Sequence, residues 1–385
     1  MAGGNLDNAK KLKADEFYTQ LSDIEKELKN YKKHFKDKVV FCNCDDPETS
    51  NFYYYFVSNF EELGLKKLIT THFEIDKASY MLEYEGGVDL QGDKETVVKR
   101  AIKLGKKSKL KQNFQQGDQG VLFEEEPTRS FSGDFRSPEC VELLKESDIV
   151  VTNPPFSLFR EYVTQLMEYK KKFIIIGPKN AITYKDIFKL IKDNKLWLGY
   201  GFANGNAFFN ISNYRDFANG VYDSKTGLVK FRNVGWFTNL DFKKRHDDLI
   251  LYKNFNPSEY PKYINYNAIN VDITKEIPQN YADIMGVPIT FLDVYNPDQF
   301  EIIALGIVGS CEFSNNRKME ILDKNGKPTG KFTINAKGTL YRKYNPKKDK
   351  KPAFKDVKTG VLFSSIYARI LIKNKNPVKR GKNEN

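Results

Sequence analysis

Short runs of consecutive apolar residues alternate with amphipathic stretches along the first 240 residues. Residues 39–42, 67–73, 148–152 and 173–176 are rich in apolar and β-branched side chains. Continuous rather than alternating burial of this kind predicts strands covered on both faces. Between them, residues 15–35, 51–63, 157–169 and 184–192 carry helical periodicity. Residues 196–199, 207–211 and 236–240 are further strand candidates. The alternation predicts an α/β fold with a mainly parallel sheet and helices on both of its faces.

Beyond about residue 240 the texture changes. Residues 254–300 are rich in Asn, Tyr and Pro, and 318–345 suggest strand pairs punctuated by Asp323-Lys324-Asn325-Gly326 and Lys337-Gly338. This divides the 385 residues into a domain over 1–240 and a region over 241–385. Two hydrophilic stretches, 85–128 and about 312–365, read as insertions.

Charge sharpens that division. The net charge is +12, but residues 311–385 alone carry +14 and the remainder −2. A second basic run over 94–111 holds eight Lys/Arg and one Glu. Segregated positive charge interleaved with Tyr341, Tyr344 and Phe354 suits a phosphate backbone, although a Lys-rich solvated face gives the same count. No run of 18 apolar residues and no apolar N-terminal stretch is present, so a soluble, cytoplasmic chain is expected. Cys42, Cys44, Cys140 and Cys311 form no paired C-x-x-C spacing, and the three histidines are scattered. No metal site is expected, and the thiols read as core or site-lining groups.

The strand over 148–152 runs directly into Asn153-Pro154-Pro155-Phe156. Such a tetrapeptide arises by chance in a chain of this length on the order of once in a hundred. Carboxyl ends of strands are also where open α/β sheets bind ligands. Its residues suit methylation of an exocyclic amine. The lone pair of adenine N6 is delocalised into the ring, so the nitrogen is a poor nucleophile until both its hydrogens are gripped. The Asn153 side-chain oxygen can accept one hydrogen bond. The Pro154 carbonyl, held by consecutive prolines, can accept the other. Phe156 supplies a face for an extruded base. A sulfonium methyl donor would make direct displacement feasible through positioning alone. The bland alternative is a strand-to-helix turn in which Asn caps and Pro opens the helix, and the two geometries are compatible.

Several segments together carry a resemblance. SDIVVTNPPFSLFREY (147–162), ADEFYTQLSDIEKEL (14–28), DKVVFCNCDDPETSNF (37–52), LGLKKLI (63–69), GDFRSPE (133–139), YPKYINYNAINV (260–271), MGVPITFLDVYNPDQFE (285–301) and ARILIKNK (368–375) resemble the EcoRI-type family of adenine-specific DNA methyltransferases. The resemblance covers most of 14–84, 129–200, 232–310 and 366–375, while the two insertions and 202–231 match poorly. It implies a Rossmann-like S-adenosylmethionine-dependent methyltransferase sheet with a mixed C-terminal target-recognition region. Catalysis falls to Asn153, Pro154, Pro155 and Phe156. Donor binding falls to Tyr18 and Thr19, to Asn43, Cys44 and Asp45, to Glu74 or Asp76 on the ribose, and to Asp134 and Phe135 on the adenine. The turn at 43–47 has no glycine, as in other EcoRI-type members.

The implied activity is N6 methylation of an adenine flipped out of double-stranded DNA, within a restriction-modification system. The implied enzyme is a monomer without membrane association, and any companion endonuclease would act without a stable complex. Two alternatives stand beside it: methylation of RNA adenine or a protein glutamine, and a catalytically inactive DNA-binding relative. The basic C-terminal region disfavours the protein substrate, and the intact tetrapeptide disfavours the idle relative.

Overall fold

A computed structural model describes residues 17–72, 80–88, 90, 92–109, 133–202, 205–211, 220–314 and 317–378. By packing, the chain divides into two compact units. The first holds the described residues up to Ala181 together with Leu196–Phe242. The second holds Ile182–Lys195 and the residues from Lys243 onward. Among the described residues no helix is long and apolar enough to cross a membrane.

In chain order the first unit contains β1 (Phe17–Thr19), α1 (Leu21–Leu28), β2 (Val39–Cys42), α2 (Asn51–Ser58), α3 (Phe60–Leu63) and β3 (Lys67–His72). β4 (Tyr80–Tyr84), α4 (Lys94–Leu104), β5 (Lys106–Lys109), α5 (Pro138–Glu146), β6 (Ile149–Thr152), α6 (Phe159–Glu168) and β7 (Lys172–Pro178) follow. Past the excursion to the second unit come β8 (Trp197–Leu198), β9 (Ala207–Ile211), β10 (Tyr222–Asp223), β11 (Leu228–Phe231) and β12 (Val234–Thr238). The result is a mixed α/β unit. Its larger sheet has the order β5-β4-β3-β2-β6-β7-β12-β8, and a smaller one the order β1-β9-β11-β10.

All four residues of β2 and of β6 are buried, as continuous apolar strands require when both faces are covered. α5 packs against β2 and α6 against β7. Val40, Cys42, Val151, Ile174 and Ile176 share a core with Phe52, Tyr53 and Phe56 of α2.

The structure corrects several expectations. Only the central strands β3-β2-β6-β7 are parallel; β4, β5, β12 and β8 run antiparallel at the two edges. Only residues 73–79 join β3 to β4, too short a link for the crossover that a parallel pair needs. The helix expected over 15–35 is replaced, from Phe17 on, by β1 and then α1. β1 pairs with β9 far along the chain, Phe17 opposite Ile211, and local periodicity carries no signal of that partner. The helix expected over 51–63 breaks at Asn59, whose side chain donates to the Tyr55 carbonyl at 2.8 Å and competes with helix continuation. The strand read over 173–176 extends from Lys172 through Gly177 to Pro178.

The second unit begins with α7 (Lys185–Lys192), which lies before residue 240 in sequence but packs against β15. It continues with β13 (Ile269–Asn270), β14 (Met285–Pro288), β15 (Phe300–Leu305), β16 (Lys318–Leu322), β17 (Pro328–Ile334), β18 (Leu340–Lys343), β19 (Phe354–Asp356), β20 (Leu362–Ile366) and β21 (Arg369–Asn374). These form a four-stranded sheet, β13-β14-β21-β15, and a five-stranded antiparallel sheet, β17-β16-β19-β20-β18. The second sheet occupies the stretch read as the 312–365 insertion and has its own small core of Met319, Tyr341, Phe354 and Phe363. Of the 85–128 stretch, α4 and β5 are described, and residues from 110 on lie outside the described residues.

Candidate active site

The carboxyl ends of β2, β3 and β6 open into one pocket within the first unit, closed on a further side by β1 and by residues 133–135. Its cavity of about 190 Å³ far exceeds the roughly 10–15 Å³ that one ordered water needs, so it has room for a small molecule.

Asn153 follows directly on β6. Its Nδ2 donates to the Phe17 carbonyl at 2.5 Å, while its Oδ1 is buried with no hydrogen-bond partner. A carbonyl can only accept, so β1 fixes which way the amide faces. Asn153 is among the residues that line the pocket. A buried acceptor without a donor costs roughly 1–3 kcal/mol unless something supplies a hydrogen. Pro155 also lines the pocket, and Pro154 is buried. The Phe156 ring sits among Phe17, Phe209 and Phe231, with centroids 6.1–6.5 Å away.

Asn43, Cys44 and Asp45 leave the end of β2 and line the same pocket. The Asn43 Oδ1 accepts from the Tyr162 hydroxyl of α6, and its main-chain oxygen from Thr71 at 3.1 Å. Its Nδ2 is left buried without an acceptor. Asp45 is buried and accepts hydrogen bonds from Ser50, at 2.8 Å, and from Thr152. Desolvation nevertheless dominates, pushing its carboxyl up to about 6. Burial and the neighbouring Asp45 push the Cys44 thiol well above its ordinary value, so it lines the site as a neutral group.

Asp134 and Phe135 reach the pocket from the turn before α5. One Asp134 carboxylate oxygen accepts from the Arg136 main-chain nitrogen and Nε at 2.9 and 2.8 Å and the other from Nη2 at 2.7 Å, which fixes its plane and leaves the second oxygen able to accept once more. Phe135 packs edge-on against Tyr162 with centroids 5.0 Å apart.

Of the residues singled out from sequence, Tyr18, Asn43, Cys44, Asp45, Asp134, Phe135, Asn153 and Pro155 therefore line one cavity. Thr19, Pro154 and Phe156 are not among its lining residues, and Thr19 is buried on the opposite side of β1 from Tyr18. Glu74 and Asp76 lie outside the described residues. Phe17, Asp46, Thr71, Gly133 and Leu158 line the pocket without having been singled out. Phe17, Asp46, Gly133 and Leu158 stood within quoted segments; for Thr71 the only signal was its place on the strand read over 67–73. Among the described residues no group of three or more His, Cys, Asp or Glu side chains is placed to hold a metal ion.

Comparison with known proteins adds to this geometry. Residues 5–375 match the family described as "Adenine-specific methyltransferase EcoRI". Type II methyltransferase M.EcoRI of Escherichia coli is 46% identical over 326 residues, 80% of this chain and 94% of that protein. Type II methyltransferase M.MgeORF184P of Mycoplasma genitalium is 38% identical over 317 residues, 78% of this chain and 85% of that protein. Type II methyltransferase M.MpnI of Mycoplasma pneumoniae is 39% identical over 310 residues, 77% of this chain and 84% of that protein. No solved structure gives a significant match.

Proposed function

The chain belongs to the EcoRI-type family of adenine-specific DNA methyltransferases, and from that premise we propose that the β2–β6 pocket holds S-adenosylmethionine beside an adenine flipped out of duplex DNA. The protein is a site-specific DNA adenine methyltransferase of the type II restriction-modification kind. The observation that carries the finer reading is the orientation of Asn153. Its amide nitrogen is committed to the Phe17 carbonyl, and its oxygen is a buried acceptor without a donor, on a residue that lines the pocket.

The pocket's chemistry fits the methyl donor. Asn43 Nδ2 is a buried hydrogen-bond donor without an acceptor, suited to a ligand carboxylate. Asp45 and Asp134 are acceptors for amino groups, Phe135 offers an apolar surface to a ring, and Tyr18 of β1 and Cys44 complete the set. Glu74 or Asp76 would take the ribose hydroxyls, as an acidic residue after the second strand does in dinucleotide folds. When bound, S-adenosylmethionine supplies an activated methyl group on its sulfonium. The parallel β3-β2-β6-β7 centre, covered on both faces, supports a Rossmann-like methyltransferase arrangement.

The residues' own part is to grip and orient the amine. Asn153 Oδ1 accepts one N6 hydrogen, and the Pro154 carbonyl accepts the other. Two such acceptors favour a pyramidal nitrogen whose lone pair points away from the ring. Fixed dipoles of this kind act without reorganising during the reaction. Phe156 offers a stacking face to the extruded base, and extrusion is what enzymes acting on a base within a duplex require. We assign target recognition to the basic second unit. The enzyme is a cytoplasmic monomer, with any companion endonuclease acting on the same site separately. The test is incubation with methyl-labelled S-adenosylmethionine and duplex DNA, followed by nucleoside analysis. Label in N6-methyldeoxyadenosine supports the reading, and label in RNA or protein alone refutes it.

A further inference from the structure

The five-stranded sheet of the second unit ends in the β16–β17 pair, whose outer strand contributes no residue to the small core. β16 and β17 pair antiparallel from Lys318 opposite Ile334 to Leu322 opposite Pro328. The turn is closed by Asp323, whose carboxylate accepts from the main-chain nitrogens of Asn325 and Lys327 at 2.7 and 2.8 Å. A bulge near Gly330, at φ +69°, adds local twist to the strand that carries it. β17 is an edge strand, and every residue of it except Thr333 is exposed. Phe332 and Ile334 are 51% and 59% exposed, and the Lys318 ammonium stands 4.9 Å from the Phe332 ring centre.

Charge points the same way. Residues 317–358 contain 14 Lys/Arg and four Asp/Glu. Two of those carboxylates are taken by Arg342 and Arg317, and Asp323 closes the turn. Exposed Lys324, Lys327 and Lys331 make no ion pair among the described residues. Lysines on an edge strand can simply discourage pairing with another chain. That role does not explain a bare Phe and a bare Ile on the same strand. β16 is also paired with β19 from Met319 to Ile321, so what a major groove about 12 Å wide can admit is the β17 edge, roughly 23 Å long, with the 323–327 turn at its tip.

Resting on the reading of duplex DNA as substrate, we propose that the β17 edge of the β16–β17 ribbon enters the major groove of the target site. Lys324, Lys327 and Lys331 contact flanking phosphates, and the Phe332–Ile334 face meets base edges, thymine methyls among them. Phosphate contacts set affinity and its salt dependence, whereas base contacts set discrimination.

The test uses the full chain and a duplex carrying the site that sequencing identifies in DNA methylated by the wild type. The combined change Lys324→Ala, Lys327→Ala and Lys331→Ala should weaken duplex binding on the order of 10- to 100-fold near 0.1 M salt and make the log–log salt slope shallower by about 2–3. Donor affinity and circular dichroism should not change. A control removing the same charge from α7, Lys185→Ala with Lys189→Ala and Lys192→Ala, should leave the slope within one. Replacing site thymines by uracil should weaken wild-type binding but barely affect Phe332→Ala. Unchanged affinity and slope in the ribbon variant, an equal loss in the control, or uracil sensitivity that survives Phe332→Ala would overturn the proposal. The salt-slope comparison of ribbon and control variants can be made on any duplex, so a wild type that bound DNA through the ribbon but methylated nothing would refute the pocket assignment and leave this one standing.

Discussion

Asn153 and Asp45 show how much of the site depends on atoms that carry no sequence signature. The tetrapeptide and the Asn43–Asp45 turn were legible because each is contiguous and follows a strand of buried apolar residues. The group that orients Asn153 is the main-chain oxygen of Phe17, and a carbonyl looks the same whatever side chain it carries. Asp45 was legible as a lining residue but not as a titrating one, because its environment comes from Ser50 and Thr152 in separate elements. Its carboxyl is raised from 3.8 to about 6 by burial. Between those values the folded chain holds a proton that the unfolded chain has released. Stability therefore falls as pH rises through that window, and the full cost is present above about 6. Asp45→Asn should flatten the stability profile between pH 4 and 6 in chemical denaturation. A cationic donor favours the ionised carboxylate, so donor affinity should drop about tenfold between pH 7 and pH 5 in calorimetric titration, and this dependence should disappear in the Asn variant.

At the scale of elements, the four parallel strands were legible because double coverage leaves an unbroken apolar run. The antiparallel edges and β1 were not, since pairing direction and distant partners leave no local period. Two joints between elements hold the site in place. Gly177 of β7 lies under α6, and a Cβ there would stand 2.1 Å from the Phe159 ring. Gly177→Ala should lower the stability of the first unit by about 2–3 kcal/mol, measured in urea unfolding, because α6 must move off the sheet. Ser50 caps α2 by accepting from the Phe52 nitrogen at 3.0 Å, and it also donates to Asp45. Ser50→Ala should cost about 1 kcal/mol in the same measurement. It should also weaken donor binding several-fold, an effect that a cap remote from the pocket would not have.

The whole molecule divides its chemistry by charge. Residues 311–385 carry +14 and all the others together −2, so the proposed DNA-binding and donor-binding roles fall on stretches of different charge. Duplex binding should therefore weaken steeply with salt, with a log–log slope steeper than about −4, while donor binding changes little. This partition was legible by counting. The affiliation of α7 with the second unit was not, because its amphipathic pattern is equally suited to either core. The central claim is that the oriented oxygen of Asn153 makes the target amine reactive, and single-turnover methylation by Asn153→Ala tests it most directly. With donor affinity and melting temperature near wild type, the methyl-transfer rate on the identified site should fall by roughly 10²–10³ or more, the loss typical of one preorganised transition-state contact. A variant that folds, binds the donor and still transfers within a few-fold of the wild-type rate would contradict the account.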